Sequence, residues 1–381
     1  MSAELKNFTP FANMQFTNLD NEGREFGVFM VKTAWDIQED GICVLSDEQE
    51  PFALTDEFHG EINKSAVRYP SDLVPYKPTT DFILNATAFA PNDEEAKKWD
   101  VSVQIEEDQN GKVLIDRTLK ITGPREWRFL KRRWQLSDPE QIIRLDIRYE
   151  HAYGGMIPKG EDDDGNPFVE AYEHNPVGKG FADPNSIDQD QSCPAPQILL
   201  PDQELSDPFE HLAPAGFGPI QAAWLPRRPL GGTYDDHWME HVWPNWPKDY
   251  EFGFHNAASE GMKNALPFGA GATITLRNMH PEKEEWVINL PNPNLAAITV
   301  QEDEIIYYGL HTDSVFLDVA HNRLSDPRVF VISRMVFDRE LTNSIILTRL
   351  GSKDNLEQLK MPPAPRQIAK FIEEEIEEVP V

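Results

Sequence analysis

A five-residue segment of the chain has the residue types and the spacing of a zinc site. Residues 237–241 read His-Trp-Met-Glu-His, the H-x-x-E-H pattern of one class of zinc peptidase. On a helix, histidines four residues apart share a face and can ligate one zinc ion, with Glu240 as general base. A third protein ligand is still needed, and the sequence gives no reason to select Glu251 or Glu260 for that role. We therefore interpret the segment as a short helix with Trp238 packed inward and both histidines exposed. We predict no metal and no cofactor, and keep a zinc-dependent hydrolase as an alternative.

Tryptophans cluster in the same part of the chain, at Trp224, Trp238, Trp243 and Trp246. Acid-rich, tryptophan-rich proteins include glycosidases, which use paired carboxylates and stack sugars on aromatic rings. The 65 acidic residues offer no reason to select one pair. Aromatic side chains are also typical of a protein core and of the centre of a protein interface. We predict that the four tryptophans contribute to a partner-binding surface, and keep a carbohydrate-binding β-protein as a second alternative.

Other catalytic signatures are missing from the sequence, which has no G-x-S-x-G elbow, no Walker A loop and no G-x-G-x-x-G. His151 follows Glu150 directly, and Asp235-Asp236 precede His237, so an acid–base pair could be drawn at either place. Sequence spacing does not bring such a pair within hydrogen-bond reach of a substrate. We predict a protein that is not an enzyme and has no catalytic residues.

The elements that must position these residues are predicted to be strands. Apolar and polar residues alternate with period two in many short segments separated by turn residues, which is typical of packed antiparallel sheets. The predicted strands include 29–37, 82–88, 101–106, 113–121, 143–149, 272–276, 286–290, 315–319 and 329–336. Asn110-Gly111 predicts a hairpin between the third and fourth of these. The predicted fold is mainly β and sandwich-like, with long irregular loops and a short C-terminal helix.

The domain organisation follows from composition. Residues 1–350 form the predicted β body, with a possible sub-domain break within 155–212, where Pro, Gly, Asn and Asp accumulate. Residues 351–381 differ, because a proline-rich linker at 362–365 precedes an acidic segment. Apolar residues keep helical spacing over 367–379 while glutamates fill the other face, so we predict an acidic amphipathic tail helix.

Charge and cysteine content restrict the class of protein. The formal charge of −30 repels phosphate backbones, which argues against nucleic-acid binding. Two cysteines, Cys43 and Cys193, make neither a disulfide framework nor a C-x-x-C site and suit a reducing compartment. The chain has no apolar stretch near the ~20 residues of a membrane span and no signal-peptide core at its start. We predict a cytoplasmic protein that does not bind membranes.

An ordered set of motifs resembles one bacterial family. The motifs are YPSDLVPYKPTTD at 69–81, RYEHAYGG at 148–155, NPVGKGF at 175–181, PAGFGP at 214–219, GTYD at 232–235 and NAA at 256–258. Their combination over roughly residues 8–340 resembles the DUF2169 family, which is associated with type VI secretion. The resemblance implies a cytoplasmic adaptor or chaperone that binds an effector, often one carrying a PAAR domain, and helps load it onto the VgrG spike.

We interpret most motif residues as architectural. Gly154-Gly155 is predicted to adopt positive φ and to end a strand, Gly216-x-Gly218 to make a tight turn, and Arg148 or Arg227 to clamp a carboxylate such as Asp235 or Asp249. The motif residues predicted to be structural are Glu150, His151, Gly154, Gly155, Asn175, Pro176, Gly178, Gly180, Gly216, Gly218, Arg227, Gly232, Thr233, Tyr234, Asp235 and Asn256.

Overall fold

Strands with alternating apolar residues make up most of the regular structure. The computed structural model describes residues 3–20, 22–107, 111–161, 165, 167–185, 192–269, 271–301, 304–350, 359–361 and 364–365. The predicted mainly-β fold is confirmed. The predicted tail helix 367–379 lies outside the described residues.

The strands follow one another along the whole body. Those before residue 150 are β1 (Glu4–Asn7), β2 (Ala12–Leu19), β3 (Glu25–Ile37), β4 (Cys43–Leu45), β5 (Glu57–Phe58), β6 (Val67–Tyr69), β7 (Thr80–Phe89), β8 (Lys98–Glu106), β9 (Val113–Thr122), β10 (Glu126–Leu130), β11 (Arg133–Leu136) and β12 (Arg144–Asp146). Those after it are β13 (Tyr153–Gly154), β14 (Met156–Glu161), β15 (Pro167–Ala171), β16 (Lys179–Gly180), β17 (Ser192–Pro194), β18 (Ile198–Leu199), β19 (Lys263–Asn264), β20 (Thr273–Arg277), β21 (Glu285–Asn289), β22 (Leu295–Gln301), β23 (Glu304–Gly309), β24 (His311–Val319), β25 (Arg328–Phe337) and β26 (Thr342–Arg349).

Helical structure is sparse among the described residues. The one α-helix there is α1 (Asp236–His241). The 3-10 helices are Pro91–Asp93, Tyr149–His151, Arg228–Gly231, Phe252–His255 and His321–Arg323. None of the described helices has the length and apolar content needed to cross a membrane.

Two large sheets enclose the main core. The first runs β12-β7-β24-β25-β3-β2, with β4 added to β3 and β19 to β7, and the second runs β18-β9-β8-β20-β21. Along β8 one face is buried and the other is polar, and its Val101 and Val103 join Phe82 and Leu84 of β7 in one apolar cluster. The predicted hairpin is confirmed, since β8 and β9 pair antiparallel with Ile105 opposite Ile115. The core is therefore built like that of a sandwich.

A third sheet packs against the first of the two large sheets. It runs β1-β26-β22-β23, so β23 lies at one end of it. Ile345 and Leu347 of β26 pack in one apolar cluster with Phe29 of β3 and Met335 of β25. The C-terminal residues pair with β23, the end strand of this sheet.

The predicted strand at 143–149 is wrong beyond Asp146. Only Arg144–Asp146 pairs with β7, and the chain then turns at Arg148 into a 3-10 helix. The turn buries Tyr149, which makes an edge contact with Trp224 at a centroid distance of 5.9 Å. A tertiary aromatic contact thus overrides the local alternation.

The region 155–212 is tied to the large sheets by backbone hydrogen bonds. Thr122 donates to the Gln197 carbonyl at 2.8 Å, and the Gln197 N–H donates to the His151 carbonyl at 2.8 Å. Residues of this region also form small clusters of their own around Trp127 and Tyr153. The sub-domain break within 155–212 remains a prediction.

Candidate partner-binding surface

Residues 232–250, which we call the aromatic excursion, lie in the strand-free segment between β18 and β19, and a polar clamp joins their two ends. The Asp249 carboxylate accepts from the Thr233 N–H at 3.0 Å and from the Thr233 hydroxyl at 2.7 Å. These hydrogen bonds lower the pKa of Asp249. Gly232 has φ +85°, and an added Cβ would lie 2.7 Å from Cβ of Pro247. The clamp and the glycine together close the base of the excursion.

Helix α1 lies within the aromatic excursion and begins with an N-cap residue. The Asp235 carboxylate accepts from the Trp238 N–H at 2.8 Å, which satisfies one free donor of the helix N-terminus. The Trp238 indole donates to the Asn245 carbonyl at 3.0 Å and meets the Tyr234 ring edge-on at 4.7 Å. These contacts fix the direction of the helix.

Three large apolar side chains of the aromatic excursion face solvent. Tyr234 is 54% exposed, Met239 62% and Trp243 64%. Trp246 instead stacks on the buried Tyr250 at a centroid distance of 4.7 Å, which anchors the excursion to the body. Exposed aromatic and methionine side chains are enriched at protein interaction sites. We call these three residues the apolar patch.

Three acidic residues are neighbours of the apolar patch along the chain, and we call them the acidic rim. Asp235, Asp236 and Glu240 are all exposed. An apolar centre with a charged rim is the usual composition of a protein interface. The sign of the rim favours a basic partner surface.

The four predicted tryptophans have different environments. Trp224 is 4% exposed and packs in the main core against Tyr149, so it is not part of the surface. Trp238 and Trp246 are half-buried, and Trp243 is exposed. Trp243 is therefore exposed like its sequence neighbours Tyr234 and Met239, whereas Trp224 belongs to the core.

The histidines of the H-x-x-E-H segment lie on α1 as the spacing predicts. The ring centroids of His237 and His241 are 4.9 Å apart. A carboxylate oxygen of Glu240 lies 3.7 Å from Nε2 of His241. No group of three His, Cys, Asp or Glu that could hold a metal ion occurs among the described residues. The helix has six residues and its two histidines are exposed.

A buried asparagine organises the first set of family-motif residues. The side-chain amide of Asn175 donates to the Tyr149 carbonyl at 2.8 Å and the Tyr153 carbonyl at 3.0 Å, and the residue is fully buried. An added Cβ at Gly154 would lie 2.1 Å from the Asn175 carbonyl, and one at Gly178 would lie 2.4 Å from the Asn175 amide. These two glycines are therefore required for packing around Asn175.

The paired glycines adopt the predicted positive φ, but the strand that they end is the two-residue β13 and not the predicted strand 143–149. Gly154 has φ +151° and Gly155 φ +128°, and β13 ends at Gly154. Gly216 has a different role, since an added Cβ there would lie 3.0 Å from the Tyr149 ring, so close packing rather than a tight turn accounts for this glycine. Glu150 accepts from the Ala66 N–H at 2.9 Å.

A second set of motif residues meets at a buried aspartate. Asp81 accepts from Lys77 at 2.7 Å, from the Asn256 amide at 2.9 Å and from the Ala257 N–H at 2.8 Å. Asp81 and Lys77 are both buried. The motifs at 69–81 and 256–258, far apart in sequence, are therefore joined by one hydrogen-bonded ion pair. Removing one partner of such a pair costs far more than its net contribution.

The predicted arginine–carboxylate clamp is wrong for Arg227 and for the carboxylates of Asp235 and Asp249, whereas Arg148 does meet a carboxylate. Arg227 donates through Nε at 3.0 Å and Nη2 at 2.8 Å to the Phe254 carbonyl. Arg148 pairs with Asp146 at 2.8 Å. Asp235 and Asp249 accept instead from backbone and hydroxyl donors of the aromatic excursion. The 3-10 helix Phe252–His255 leaves a free carbonyl, and that carbonyl rather than a side chain receives the guanidinium.

Three partly buried histidines stay neutral at physiological pH. Burial and the neighbouring Arg227 lower the pKa of His255 to about 3. Burial and neighbouring cations likewise lower the pKa of His59 to about 4 and of His151 to about 4. His255 shares a 2.5 Å hydrogen bond with the Tyr250 hydroxyl, beneath the aromatic excursion.

A cleft of about 560 Å³ lies next to the aromatic excursion and was not predicted from the sequence. Its walls include Tyr76, Pro78, Phe252 and the C-terminal residues Ala364 and Pro365. Tyr76 and Phe252 meet edge-on at 5.6 Å. The motif at 69–81 contains Tyr76-Lys77-Pro78, but nothing in that string indicates that its tyrosine faces a cleft.

One family comparison covers most of the chain. A family model described as an uncharacterized protein conserved in bacteria, DUF2169, matches residues 22–326. No curated protein and no solved structure matches the chain. All the motif residues from Tyr69 to Ala258 fall within the matched range, and the chain belongs to the DUF2169 family.

Proposed function

We propose that the protein is a cytoplasmic adaptor, or chaperone, for type VI secretion. It binds an effector that carries a PAAR-type or similar spike-associated segment and helps load it onto the VgrG spike. The motif resemblance supports this role, and one structural observation carries it: the exposed apolar patch of Tyr234, Met239 and Trp243 within an acidic rim. The protein performs no catalysis in this proposal.

The apolar patch supplies what an adaptor needs. A stable complex buries on the order of 1,200–2,000 Å², and a few central aromatic side chains carry most of the affinity. Trp243 and Tyr234 have that composition, and the clamp at Asp249 holds them in place before the partner arrives. Pre-ordering of this kind lowers the entropic cost of binding. The acidic rim steers a basic effector surface toward the patch.

The test is co-expression with an effector that carries a PAAR-type segment, followed by pull-down. Trp243→Ala and Tyr234→Ala should each weaken the complex by about 2 kcal/mol, roughly 30-fold, without changing the circular dichroism spectrum. Leu266→Ala is the matched control, because Leu266 is equally exposed at 67% but lies outside the aromatic excursion. Trp224→Ala should unfold the protein, since it opens a cavity in the core.

Two results would contradict the proposal. If no effector associates with the wild-type protein, the adaptor role fails. If zinc is present in stoichiometric amount and is lost in the double variant His237→Ala, His241→Ala, the hydrolase alternative replaces it. An unchanged pull-down with the patch variants would place the interface elsewhere on the protein.

A further inference from the structure

The C-terminal residues return to the body as an added strand. Lys360 pairs in parallel with Tyr308 of β23. The Lys360 N–H donates to the Tyr307 carbonyl at 2.8 Å, and the Gly309 N–H donates to the Lys360 carbonyl at 3.1 Å. Because β23 is the end strand of its sheet, these two bonds satisfy backbone groups that an edge strand otherwise leaves open.

A few residues later the chain enters the aromatic cleft. Ala364 and Pro365 line it together with Tyr76 and Phe252, and Pro365 is buried. Clefts walled by aromatic side chains are a common means of binding proline-containing peptides. Three residues of extended chain span at most about 11 Å, so the edge of β23 and the cleft are neighbouring parts of one surface. We call this surface the peptide groove.

The peptide groove and its occupant come from different parts of the chain. Tyr76, Phe252 and β23 all lie within the family match, which ends at residue 326, whereas residues 359–361 and 364–365 lie beyond it. The sequence after Pro365 carries five glutamates on a body that is itself strongly acidic. Like-charge repulsion opposes the docking of such a tail. The occupant is therefore held by backbone pairing and apolar contact against an electrostatic force.

We infer that the peptide groove binds a proline-containing peptide by strand addition, that residues 359–361 occupy the edge of β23 in cis, and that residues 364–365 narrow the cleft beside it. These residues form a displaceable strap. The partner peptide belongs to the effector, so this part of the inference rests on the proposed function. Strand addition supplies the affinity through the main chain, and the cleft supplies selectivity for proline. An effector segment must displace the strap before it can bind.

The tether makes the strap an effective competitor. Only eight residues separate Leu350 from Leu359, and a short tether gives an effective concentration in the millimolar range. A peptide of the same sequence added in trans at micromolar concentration should therefore bind poorly to the wild-type protein. A change that releases the strap should raise the apparent affinity for that peptide about ten-fold or more.

The experiment uses two full-length proline variants. Lys360→Pro removes the N–H that donates to Tyr307. Met361→Pro is the matched control, because Met361 is 68% exposed and makes no backbone bond to β23 among the described residues. Hydrogen exchange at Gly309 should accelerate in Lys360→Pro and stay at the wild-type rate in Met361→Pro.

The probe is a fluorescent peptide that copies residues 357–367. It should bind Lys360→Pro at least ten-fold more tightly than wild type or Met361→Pro, and a peptide that itself carries Lys360→Pro should not bind. Equal affinity for all three proteins, or an unchanged exchange rate at Gly309, would overturn the inference.

Pull-down of the co-expressed effector separates this inference from the proposed function. Lys360→Pro should capture more effector than Met361→Pro. If it captures the same amount or less, the strap does not compete with the effector and that part of the inference is wrong. If no variant captures an effector, the adaptor role fails while the peptide-binding result stands by itself.

Discussion

At the residue scale, Asn175 shows how one buried polar side chain fixes the path of a motif. Its amide bonds two carbonyls four residues apart, at Tyr149 and Tyr153, and so holds the 3-10 turn and the strand after it in one arrangement. The glycines at 154 and 178 allow the backbone to approach the asparagine. Buried carbonyls left without a donor cost about 1–3 kcal/mol each. These contacts support a structural role for the motif residues, which stays a prediction.

The free energy of unfolding should depend on pH through one residue, His255. Its pKa is lowered from 6.5 to about 3 in the folded protein, so the unfolded chain binds a proton below pH 6.5 that the folded chain does not. The free energy of unfolding therefore falls as pH drops from about 6.5 to 3, by about 1.4 kcal/mol per pH unit. Between pH 6 and 5 the variant His255→Gln should lose about 1 kcal/mol less than wild type in urea titrations.

The control for this prediction is His237→Gln, which changes an exposed histidine on α1. Its stability profile should run parallel to that of wild type, because this exposed side chain is in water in both the folded and the unfolded chain. If the His255→Gln profile is parallel as well, His255 takes up its proton in the folded state and the cause assigned to its lowered pKa is wrong.

At the element scale, the aromatic excursion depends on its clamp more than on its helix. Six residues are too few for α1 to be stable alone, so the Thr233–Asp249 hydrogen bonds and the stacking of Trp246 on Tyr250 must hold it. Asp249→Ala should accelerate hydrogen exchange over residues 234–246 while the exchange of β7 and β8 stays unchanged. Lys248→Ala, an exposed neighbour, should have no effect. Unchanged exchange in Asp249→Ala would show that the aromatic stacking alone suffices.

Some elements of the fold could be predicted from the sequence, and others could not. Alternation is a local signal, and it correctly indicated β3 and the β8–β9 hairpin. It failed at 143–149 because the burial of Tyr149 beside Trp224 is a tertiary event. Trp224 and Trp243 come from one tryptophan-rich stretch, yet one is buried and the other exposed, which only the packing of the chain decides. The peptide groove brings together residues 76, 252, 307 and 360, and no local pattern connects them.

At the scale of the whole molecule, the negative charge is a property of the surface. Inside the protein, cations pair with anions: Lys32 with Asp72, Lys77 with Asp81, and Arg334 with Asp313. All six residues are buried. Since these pairs are neutral overall, they add nothing to the formal charge of −30. The other buried acids of the described residues, Asp20 and Asp318, meet Arg24 and Arg68. Surface self-repulsion therefore opposes folding, while the same field attracts a basic partner.

Salt should consequently affect stability and binding in opposite directions. Raising NaCl from 10 to 150 mM shortens the Debye length from about 30 Å to about 8 Å and screens the repulsion among surface carboxylates, so the Tm of the protein alone should rise by several degrees. If the proposed adaptor role holds, its complex with an effector should weaken over the same range, because screening also reduces the attraction between the acidic rim and a basic surface. Thermal unfolding and pull-down at matched salt concentrations measure both effects. If exposed ion pairs such as Arg277–Glu285 dominated instead, salt would lower the Tm, and the surface charge could not be the main electrostatic force on the folded state.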